Sequence, residues 1–379
     1  MDAWVQREAL EIARRGDREL EALVAVSSPS GDAHGAEECA AICAALLPAD
    51  AEVERLPCSS PGHAPDLLAR LRGSGTRRIL LLGHVDTVVA HAHHKPLRPD
   101  PTHPDHLLGS GTVDMKGGVV LALGALRALV QRRPEFAEAA LLMVCDEEWR
   151  TAPFGHVERF AGWDACLCFE AGELTPDGHD GVVVRRKAAG TIKVTARGRA
   201  AHSGSAPDRG RNALLALATA AQAVAACHAP DGSERLTAVP TVLHAGDAFN
   251  VVPGRGELTC DLRADSDAAI IGVLDAIPRE VGGVSLEPEL MRLWPGMRCE
   301  AVTAPLLERG TRALGRRVVG VRRGGASDAS HLAAGIPLTV DGLGPRGGKA
   351  HNPGEFVLRT SLASRAEVAL AVIDATLDS

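Results

Sequence analysis

The sequence is organised around a glycine-rich segment that reads Leu108-Gly109-Ser110-Gly111-Thr112-Val113-Asp114-Met115-Lys116-Gly117-Gly118. It carries a single carboxylate, Asp114, shortly before an apolar, helix-like run that begins near Val119. Glycines allow close approach of the backbone and unusual torsion angles, so the Asp114 side chain can be aimed with little steric interference. Taken alone, the segment also fits a strand-to-helix turn capped by an aspartate. Histidine and carboxylate side chains elsewhere in the chain favour the interpretation of Asp114 as a metal ligand.

Other metal-ligand side chains follow apolar runs that resemble buried strands, or lie in a glycine-rich turn. They are His84 and Asp86 after residues 79–83, Glu147 and Glu148 after residues 141–145, Glu170 after residues 165–169, and His351 after Gly347-Gly348. Imidazole and carboxylate groups in this number form a ligand set suited to a pair of zinc-like divalent ions.

Two of these segments leave an alternative open. His84 and Asp86 are two residues apart and would point the same way in an extended segment, so Asp86 could orient the His84 ring directly or across a metal. Glu147 and Glu148 are neighbours and can serve one site only where the strand gives way to a loop, with one carboxylate binding metal and the other acting as general base. The alternatives are a solvated strand end and an exposed acidic turn.

Bulk composition restricts the class of protein. The chain has 379 residues, 45% of them hydrophobic, which is enough for two domains with packed cores. The formal net charge of -7 argues against a nucleic-acid partner. No apolar run is long enough to span a membrane, the N-terminus lacks the pattern of a signal peptide, and the nine cysteines are scattered without a C-x-x-C pair. We therefore expect a cytoplasmic protein with reduced cysteines.

Strands alternate with helices, which predicts an α/β fold with a mixed central sheet flanked by helices. Residues 189–300 follow the order β-α-β-β-α-β and predict an inserted ferredoxin-like α+β domain. The catalytic domain would then consist of residues 1–188 and 301–379. The pattern predicts a helix over residues 266–281 in the inserted domain and a strand over residues 336–341 in the returning part of the catalytic domain.

Five motifs in a fixed order resemble one known superfamily. They are Gly83-His84-Val85-Asp86-Thr87-Val88, Asp114-Met115-Lys116-Gly117-Gly118, Asp146-Glu147-Glu148, Ala201-His202-Ser203-Gly204 and Ala350-His351-Asn352. The chain resembles the dinuclear zinc hydrolases that include glutamate carboxypeptidase, acetylornithine deacetylase, succinyl-diaminopimelate desuccinylase and aminoacylase. Gly324-Gly325-Ala326-Ser327-Asp328 and Gly342-Leu343-Gly344-Pro345 place it closest to the glutamate-carboxypeptidase-like branch.

The resemblance implies a role for each motif residue. It implies one zinc held by His84, Asp114 and Glu170, a second held by Asp114, Glu148 and His351, Asp86 as the group that orients His84, and Glu147 as general base. Cobalt would suit the same ligands. The inserted domain would act as a lid or dimerisation domain, with His202 reaching the partner's active site in a homodimer. Asn250, Arg263 and Ser327 would contact substrate.

The predicted function is metal-dependent hydrolysis of an amide bond in a small-molecule substrate, either an N-acyl amino acid or a dipeptide-like compound with a free carboxylate. Such an enzyme is a carboxypeptidase or an N-deacylase. Leu293-Trp294-Pro295 lacks the arginine expected before the proline in carboxypeptidase-like relatives, so a glutamate-specific pocket is not predicted. One alternative is a dipeptidase or aminopeptidase that recognises a free amino group. Another is a non-catalytic metal-binding scaffold on the same fold, against which the extra carboxylate of Glu147 argues.

Overall fold

The structure is a computed structural model that describes residues 1–378. Its helices are α1 Ala3–Ala25, α2 Ala33–Ala45, α3 Gly117–Leu129, α4 Val157–Phe160, α5 Ala213–Ala226, α6 Asp267–Ala276, α7 Glu300–Leu314, α8 Asp328–Leu332 and α9 Arg359–Leu377. Its strands are β1 Glu52–Leu56, β2 Asp66–Arg72, β3 Arg77–His84, β4 Arg98–Pro99, β5 His106–Leu108, β6 Phe136–Val144, β7 Ala165–Cys168, β8 Glu173–Leu174, β9 Asp180–Arg186, β10 Ala188–Arg197, β11 Ala201–His202, β12 Thr237–Ala245, β13 Val251–Val252, β14 Arg255–Ala264, β15 Glu280–Val281, β16 Val284–Trp294, β17 Met297–Arg298, β18 Val318–Arg323, β19 Thr339–Val340, β20 Gly347–Gly348 and β21 Phe356–Leu358.

The chain divides into two compact units. The first unit comprises Met1–Arg185, Arg298–Arg322 and the residues from Ser327 onward, and the second comprises Arg186–Met297 with Arg323–Ala326. Within residues 1–378, no helix is both long enough and apolar enough to cross a lipid bilayer. All nine cysteines lie in this part of the chain and none of them forms a disulfide.

The first unit is built on a mixed sheet with the strand order β1-β2-β6-β3-β7-β19. Strand β3 pairs in parallel with both β6 and β7, whereas β1 and β2 pair in antiparallel fashion. The central strands are apolar along their whole inner length because both faces of the sheet are covered. Because β3, β6 and β7 run in the same direction, their carboxyl ends meet at one edge of the sheet, and this edge carries the site.

The second unit is a five-stranded sheet in the order β12-β14-β10-β16-β15. Strand β10 pairs in antiparallel fashion with β14 and β16, and helices α5 and α6 pack against these strands. The chain order β10-α5-β12-β14-α6-β16 and this arrangement of strands are those of a ferredoxin-like unit. The predicted α/β fold class is thereby confirmed.

Two predicted elements are shorter than expected. The helix predicted over residues 266–281 ends at Ala276, because Ile277 precedes Pro278 and takes extended torsion angles, which a residue before proline favours. The strand predicted over residues 336–341 is reduced to Thr339–Val340. Here the N–H of Ile336 bonds to the carbonyl of Leu332 at the end of a helix, and Pro337 has no N–H to offer to a strand.

Candidate metal centre

The predicted ligands lie at the carboxyl edge of the first unit's central sheet. His84 is the last residue of β3, the Glu147-Glu148 pair lies in the turn after β6, and Glu170 follows β7 by two residues. Asp114 lies in an irregular helical turn, Thr112–Lys116, directly before α3. These elements bring residues that are far apart in sequence to one place.

Asp114 is the centre of the cluster, because its two carboxylate oxygens face two different histidines. Its Oδ1 lies 3.3 Å from the Nε2 atom of His84, and its Oδ2 lies 3.1 Å from the Nε2 atom of His351. Glu170 adds an oxygen 3.6 Å from Nε2 of His84, and Glu148 adds one 3.1 Å from Nε2 of His351. The arrangement therefore contains two groups of three ligand-type side chains that share Asp114, as a bridged pair of metal ions requires.

Two buried polar atoms in this cluster test whether the residues fit a metal. Nε2 of His84 and Oε1 of Glu148 are both shielded from solvent, and neither has a hydrogen-bond partner among residues 1–378. Buried polar atoms are nearly always hydrogen-bonded, since an unpaired one costs about 1–3 kcal/mol. Divalent cations coordinated by these atoms, one in each ligand group, remove that cost, so the donor set fits the pair of metal ions that the sequence predicts.

Asp86 fixes the orientation of the groups around it. Nδ1 of His84 lies 3.0 Å from the backbone oxygen of Asp86 and 3.3 Å from its Oδ1, so Nδ1 donates the proton and Nε2 keeps its lone pair for the cluster. The Asp86 carboxylate also accepts the backbone N–H groups of Glu147 and Glu148, each at 3.1 Å. One fully buried aspartate thus aligns both a histidine and the acidic turn.

Glu147 differs from its neighbour Glu148 in having no close partner in the cluster. Its Oε2 lies 4.0 Å from Nε2 of His84, a longer distance than any ligand pair described above. Burial raises the pKa of Glu147 well above the usual carboxyl range; His84 opposes this, and the charge of Asp328 adds to it. A carboxyl group with a raised pKa beside two ligand sets is suited to accept and return a proton.

A network of buried ion pairs anchors the acidic turn that carries Glu147 and Glu148. Arg150 donates from Nη2 to Asp146 Oδ1 and to Asp328 Oδ2, both at 2.9 Å, and all three side chains are buried. The other Asp146 oxygen accepts the N–H of Ser60 at 2.8 Å. These contacts tie the start of the turn to two other segments of the first unit, which limits the movement of Glu147 and Glu148.

The turn that carries Asp114 depends on glycine. Gly111 has a φ of +72°, and a β-carbon placed there would lie 2.7 Å from Cγ2 of Thr87. A side chain at residue 111 would therefore be strained and crowded. The peptide bond between Asp114 and Met115 is cis.

Sequence reasoning did not identify Glu355. Its carboxylate is buried and accepts the backbone N–H groups of Gly111, Val113 and Asp114 at 2.8, 2.9 and 3.0 Å. Burial raises the pKa of Glu355 to about 7, although the three N–H groups oppose the shift. In the sequence its only signal is an acidic residue four positions after His351, which a single chain does not distinguish from a surface glutamate.

A second group of ligand-type side chains lies on the hairpin of β4 and β5. Asp100 Oδ2 lies 3.2 Å from Nδ1 of His103 and 3.7 Å from Nδ1 of His106. The other Asp100 oxygen accepts the N–H and the hydroxyl of Thr102. The local hydrogen bonds of this turn account for the group.

The remaining predicted site residues lie elsewhere. His202, Asn250 and Arg263 belong to the second unit, where His202 and Asn250 are exposed and Arg263 is half-buried with its guanidinium 3.2 Å from both Asp261 oxygens. Ser327 is fully buried in the first unit and donates its hydroxyl to Asp341 at 2.6 Å. Contact between Ser327 and substrate stays a prediction, and this geometry argues against it because the hydroxyl is already engaged and out of reach of solvent.

The charge state of the cluster without metal leads to a prediction about pH. Hydrogen bonds that the His351 ring donates to the carboxylates of Asp114 and Glu148 raise its pKa to about 10, so the imidazole is protonated at pH 7 in the metal-free protein. A metal ligand must be neutral, so binding must expel this proton. We expect zinc binding at pH 7 to release protons and zinc affinity to fall as the pH is lowered.

Calorimetric titration of zinc into metal-free protein measures this release when it is repeated in two buffers with different ionisation enthalpies. The His351→Ala variant is the control and should release fewer protons per bound ion. Identical heats in the two buffers would contradict the prediction.

Comparison with known proteins identifies the group to which this geometry belongs. The sequence profile of peptidase family M20/M25/M40 matches residues 80–375. Carboxypeptidase G2 of Pseudomonas sp. (strain RS-16) is 26% identical, over 93% of this chain and 87% of that protein. An acetylornithine deacetylase of Aliivibrio fischeri is 31% identical, over 77% of this chain and 79% of its own. Among solved structures, the YXEP protein of Bacillus subtilis, described as a dinuclear metal-binding peptidase of family M20, superimposes with a TM-score of 0.71 at 16% identity, over 96% of this chain and 98% of its own.

Proposed function

This chain belongs to peptidase family M20/M25/M40, and we propose that it hydrolyses the amide bond of a small N-acyl amino acid or dipeptide-like substrate that bears a free carboxylate. Metal-dependent amide hydrolysis agrees with the family and with the fold. The observation that carries the proposal is the pair of ligand groups joined by Asp114, with the carboxyl group of Glu147 left over beside them.

The residues divide the chemistry as follows. His84, Asp114 and Glu170 would hold one divalent ion, and Asp114, Glu148 and His351 the other. Ions bound here supply a Lewis acid for the scissile carbonyl and lower the pKa of a bound water from about 16 towards 7. We propose zinc as the ion, with cobalt as a substitute that the same ligands accept.

Glu147 would carry the proton. In this proposal one of its carboxylate oxygens takes a proton from the attacking water and later returns it to the leaving amine. Asp86 fixes the position of Glu147 by accepting its backbone N–H, and the Arg150 network holds the turn from the other side. Among residues 1–378 the Glu147 carboxylate has no ion-pair partner closer than His84 at 4.0 Å, which suits a group that must move a proton in both directions.

Recognition of a substrate carboxylate is assigned to Arg263. Its guanidinium makes a two-point contact with Asp261, through Nε to Oδ2 and Nη2 to Oδ1, each at 3.2 Å. A substrate carboxylate would displace Asp261 to accept this planar pair of N–H groups, the two-point contact to which a guanidinium is suited. Carboxypeptidase G2 and acetylornithine deacetylase, by their names, release or act on amino acids, which supports a substrate of this class.

Hydrolysis of matched substrate pairs tests this function. A panel of N-acetyl, N-succinyl and N-aminoacyl amino acids is compared with the same compounds as C-terminal amides, and release of free amine is measured with zinc-loaded protein. We expect cleavage of the acids and at least tenfold slower cleavage of the amides. Cleavage that requires a free amino group but not the carboxylate would indicate a dipeptidase or aminopeptidase. If no compound of any pair is cleaved, the metal-binding scaffold is favoured.

His202 is suited to donate a hydrogen bond. Its Nδ1 atom accepts the backbone N–H groups of Gly204 and Ser205, each at 3.1 Å, so the proton of the neutral ring lies on Nε2. An exposed N–H of this kind can stabilise the oxyanion of an amide-hydrolysis intermediate. We propose that His202 performs this role for the partner's site in a homodimer.

Exposed apolar side chains of the second unit support such a dimer. Val239, Val242 and Leu243 of the edge strand β12 are 44%, 45% and 37% exposed, and Leu214 and Leu215 of α5 are 40% and 64% exposed. Strand β12 packs beside α5, so these side chains belong to neighbouring elements of one unit. An apolar surface of this kind is typical of an interface, and a second copy of the chain is the partner that the His202 proposal requires.

Complementation between two inactive variants tests the dimer. Glu147→Gln and His202→Ala should each be inactive alone, but co-expression should restore about a quarter of wild-type activity if subunits associate at random, because one site in each mixed dimer is then intact. Co-expression of Glu147→Gln with Asp114→Asn is the control and should restore no activity. Both substitutions lie in the first compact unit, so each subunit of a mixed dimer carries a defective metal centre. Failure of the first pair to recover activity, in a proven mixed dimer, would show that His202 does not act in the partner's site.

A cytoplasmic location is also part of the proposal. Nine cysteines that form no disulfide, most of them buried, are usual for a protein kept in a reducing compartment.

A further inference from the structure

Glu355 links two ligands of the candidate metal centre without belonging to either ligand group. We propose that Glu355 is a positioning residue that locks the turn carrying Asp114 to the hairpin carrying His351, so that both ligands are preorganised for metal. The inference rests on the proposed metal centre, and its test is designed to give an answer even if no substrate is cleaved.

The side chain of Glu355 holds the Asp114 turn by its backbone. Oε2 accepts the N–H of Gly111 at 2.8 Å, and Oε1 accepts those of Val113 and Asp114 at 2.9 and 3.0 Å. Three amides at the start of this turn therefore point at one carboxylate. The last of them belongs to Asp114 itself, so the position of the bridging ligand depends directly on the Glu355 side chain.

The backbone of Glu355 belongs to the segment that carries His351. Strands β20 and β21 form a hairpin in which Gly348 pairs with Phe356, and His351 lies in the connecting loop with Glu355 at its end. The N–H of Glu355 bonds to the carbonyl of Asn352 at 2.9 Å, which closes the turn directly after His351. His351 itself has a positive φ of 61°, which needs support from its surroundings.

A second connection joins the same two segments through the backbone. The carbonyl of Glu355 accepts the N–H of Gly109 at 3.2 Å, and Phe356 pairs with Leu108 across β21 and β5. The hairpin is thus aligned with the glycine-rich segment at Glu355 and at the next residue, Phe356. The side-chain contact between Asp114 and His351, at 3.1 Å, lies where the two segments meet.

The chemistry of the contact requires a carboxylate. An ionised carboxylate presents only acceptors, about four lone-pair sites on two oxygens, and so serves three N–H donors at once. A glutamine has the same shape but turns an NH₂ group towards one of the donors, which leaves at least one amide unpaired in a buried place. The Glu355→Gln substitution therefore hardly changes the side-chain volume, but it disrupts the hydrogen bonds that hold the Asp114 turn.

Asp105 provides a matched control. It is a half-buried carboxylate directly before β5 that also ties two segments together, accepting the N–H of Thr360 at 2.8 Å and its hydroxyl at 2.7 Å. It makes none of these contacts with the Asp114 turn. If any carboxylate that joins two segments of the first unit mattered equally, Asp105→Asn and Glu355→Gln would have the same effect.

The test measures zinc affinity by competition with a chromophoric chelator, for the wild type, Glu355→Gln, Glu355→Ala and Asp105→Asn, with circular dichroism as a check of folding. We expect Glu355→Gln to bind zinc at least tenfold more weakly, in the range of about 10–100-fold that supporting partners of metal ligands contribute. Asp105→Asn should remain within twofold of the wild type. Where a cleaved substrate is known, kcat of Glu355→Gln should fall more than its KM rises, and excess zinc should recover part of it.

Each outcome decides the proposal. Wild-type zinc affinity in a folded Glu355→Gln protein overturns it, as does an equal loss in Asp105→Asn. Failure of both Glu355 variants to fold also overturns it, since the residue is then a general determinant of folding. A wild type that binds zinc but cleaves no substrate contradicts the proposed function and leaves the affinity comparison intact.

Discussion

Replacement of Glu147 by glutamine should lower kcat by about 10²–10⁴-fold, the usual contribution of a positioned general base, and leave zinc binding intact. The expectation follows from the separation of the two neighbouring carboxylates. Glu148 contacts His351 at 3.1 Å, whereas Glu147 comes no closer than 4.0 Å to His84. Steady-state kinetics with metal analysis of the same sample measures both quantities.

Glu148→Gln is the natural contrast for this experiment, because it changes the same chemical group one residue away. It should weaken zinc binding, since it removes a ligand, and lose activity for that reason. If Glu147→Gln loses zinc and Glu148→Gln keeps it, the two residues have been assigned in the wrong order. If neither variant is affected, the acidic turn has no part in the reaction.

Replacement of Asp114 by asparagine should have the largest effect on metal content. Asp114 faces both histidines, so its charge contributes to both ligand groups, and we expect zinc affinity to fall by more than about 100-fold at both positions with activity below detection. Asparagine has the same shape, and the backbone N–H of residue 114 can still donate to Glu355, so the fold should survive. Metal analysis after dialysis, with circular dichroism on the same sample, checks both expectations.

The matched change Asp100→Asn separates this effect from a general effect of lost surface charge. Asp100 lies beside two histidines in the exposed hairpin and is not part of the proposed centre. It should leave zinc content and activity as in the wild type. Retention of one full zinc equivalent by Asp114→Asn would contradict the bridging role.

The sequence predicted the main features of the fold because they follow from local patterns. Apolar runs at residues 79–83 and 141–145 predict buried strands. Ligand-type residues directly after such runs lie at the same edge of the sheet when the strands are parallel. This reasoning placed His84, Glu148 and Glu170 together, and the structure brings them into one cluster. Their individual roles stay predictions.

Features that depend on contacts between distant segments could not be predicted in this way. The role of Glu355 follows from three backbone amides more than 240 residues earlier in the chain, and no local pattern marks it. Burial of Ser327 against Asp341 is likewise a property of packing. Pro278 is a local signal for the early end of α6. The apolar spacing on both sides of this proline, however, favoured a longer helix.

The central claim is that this cluster is a metal-dependent centre for amide hydrolysis. Titration of zinc into metal-free protein, with release of amino acid from the N-acyl amino acid and dipeptide panel as the readout, tests it most directly. We predict no release without metal and a rate that rises with zinc until two equivalents per chain are bound, as a two-metal site requires. Release by the metal-free protein at the same rate, or no release from any compound by protein that holds two zinc ions, would contradict it.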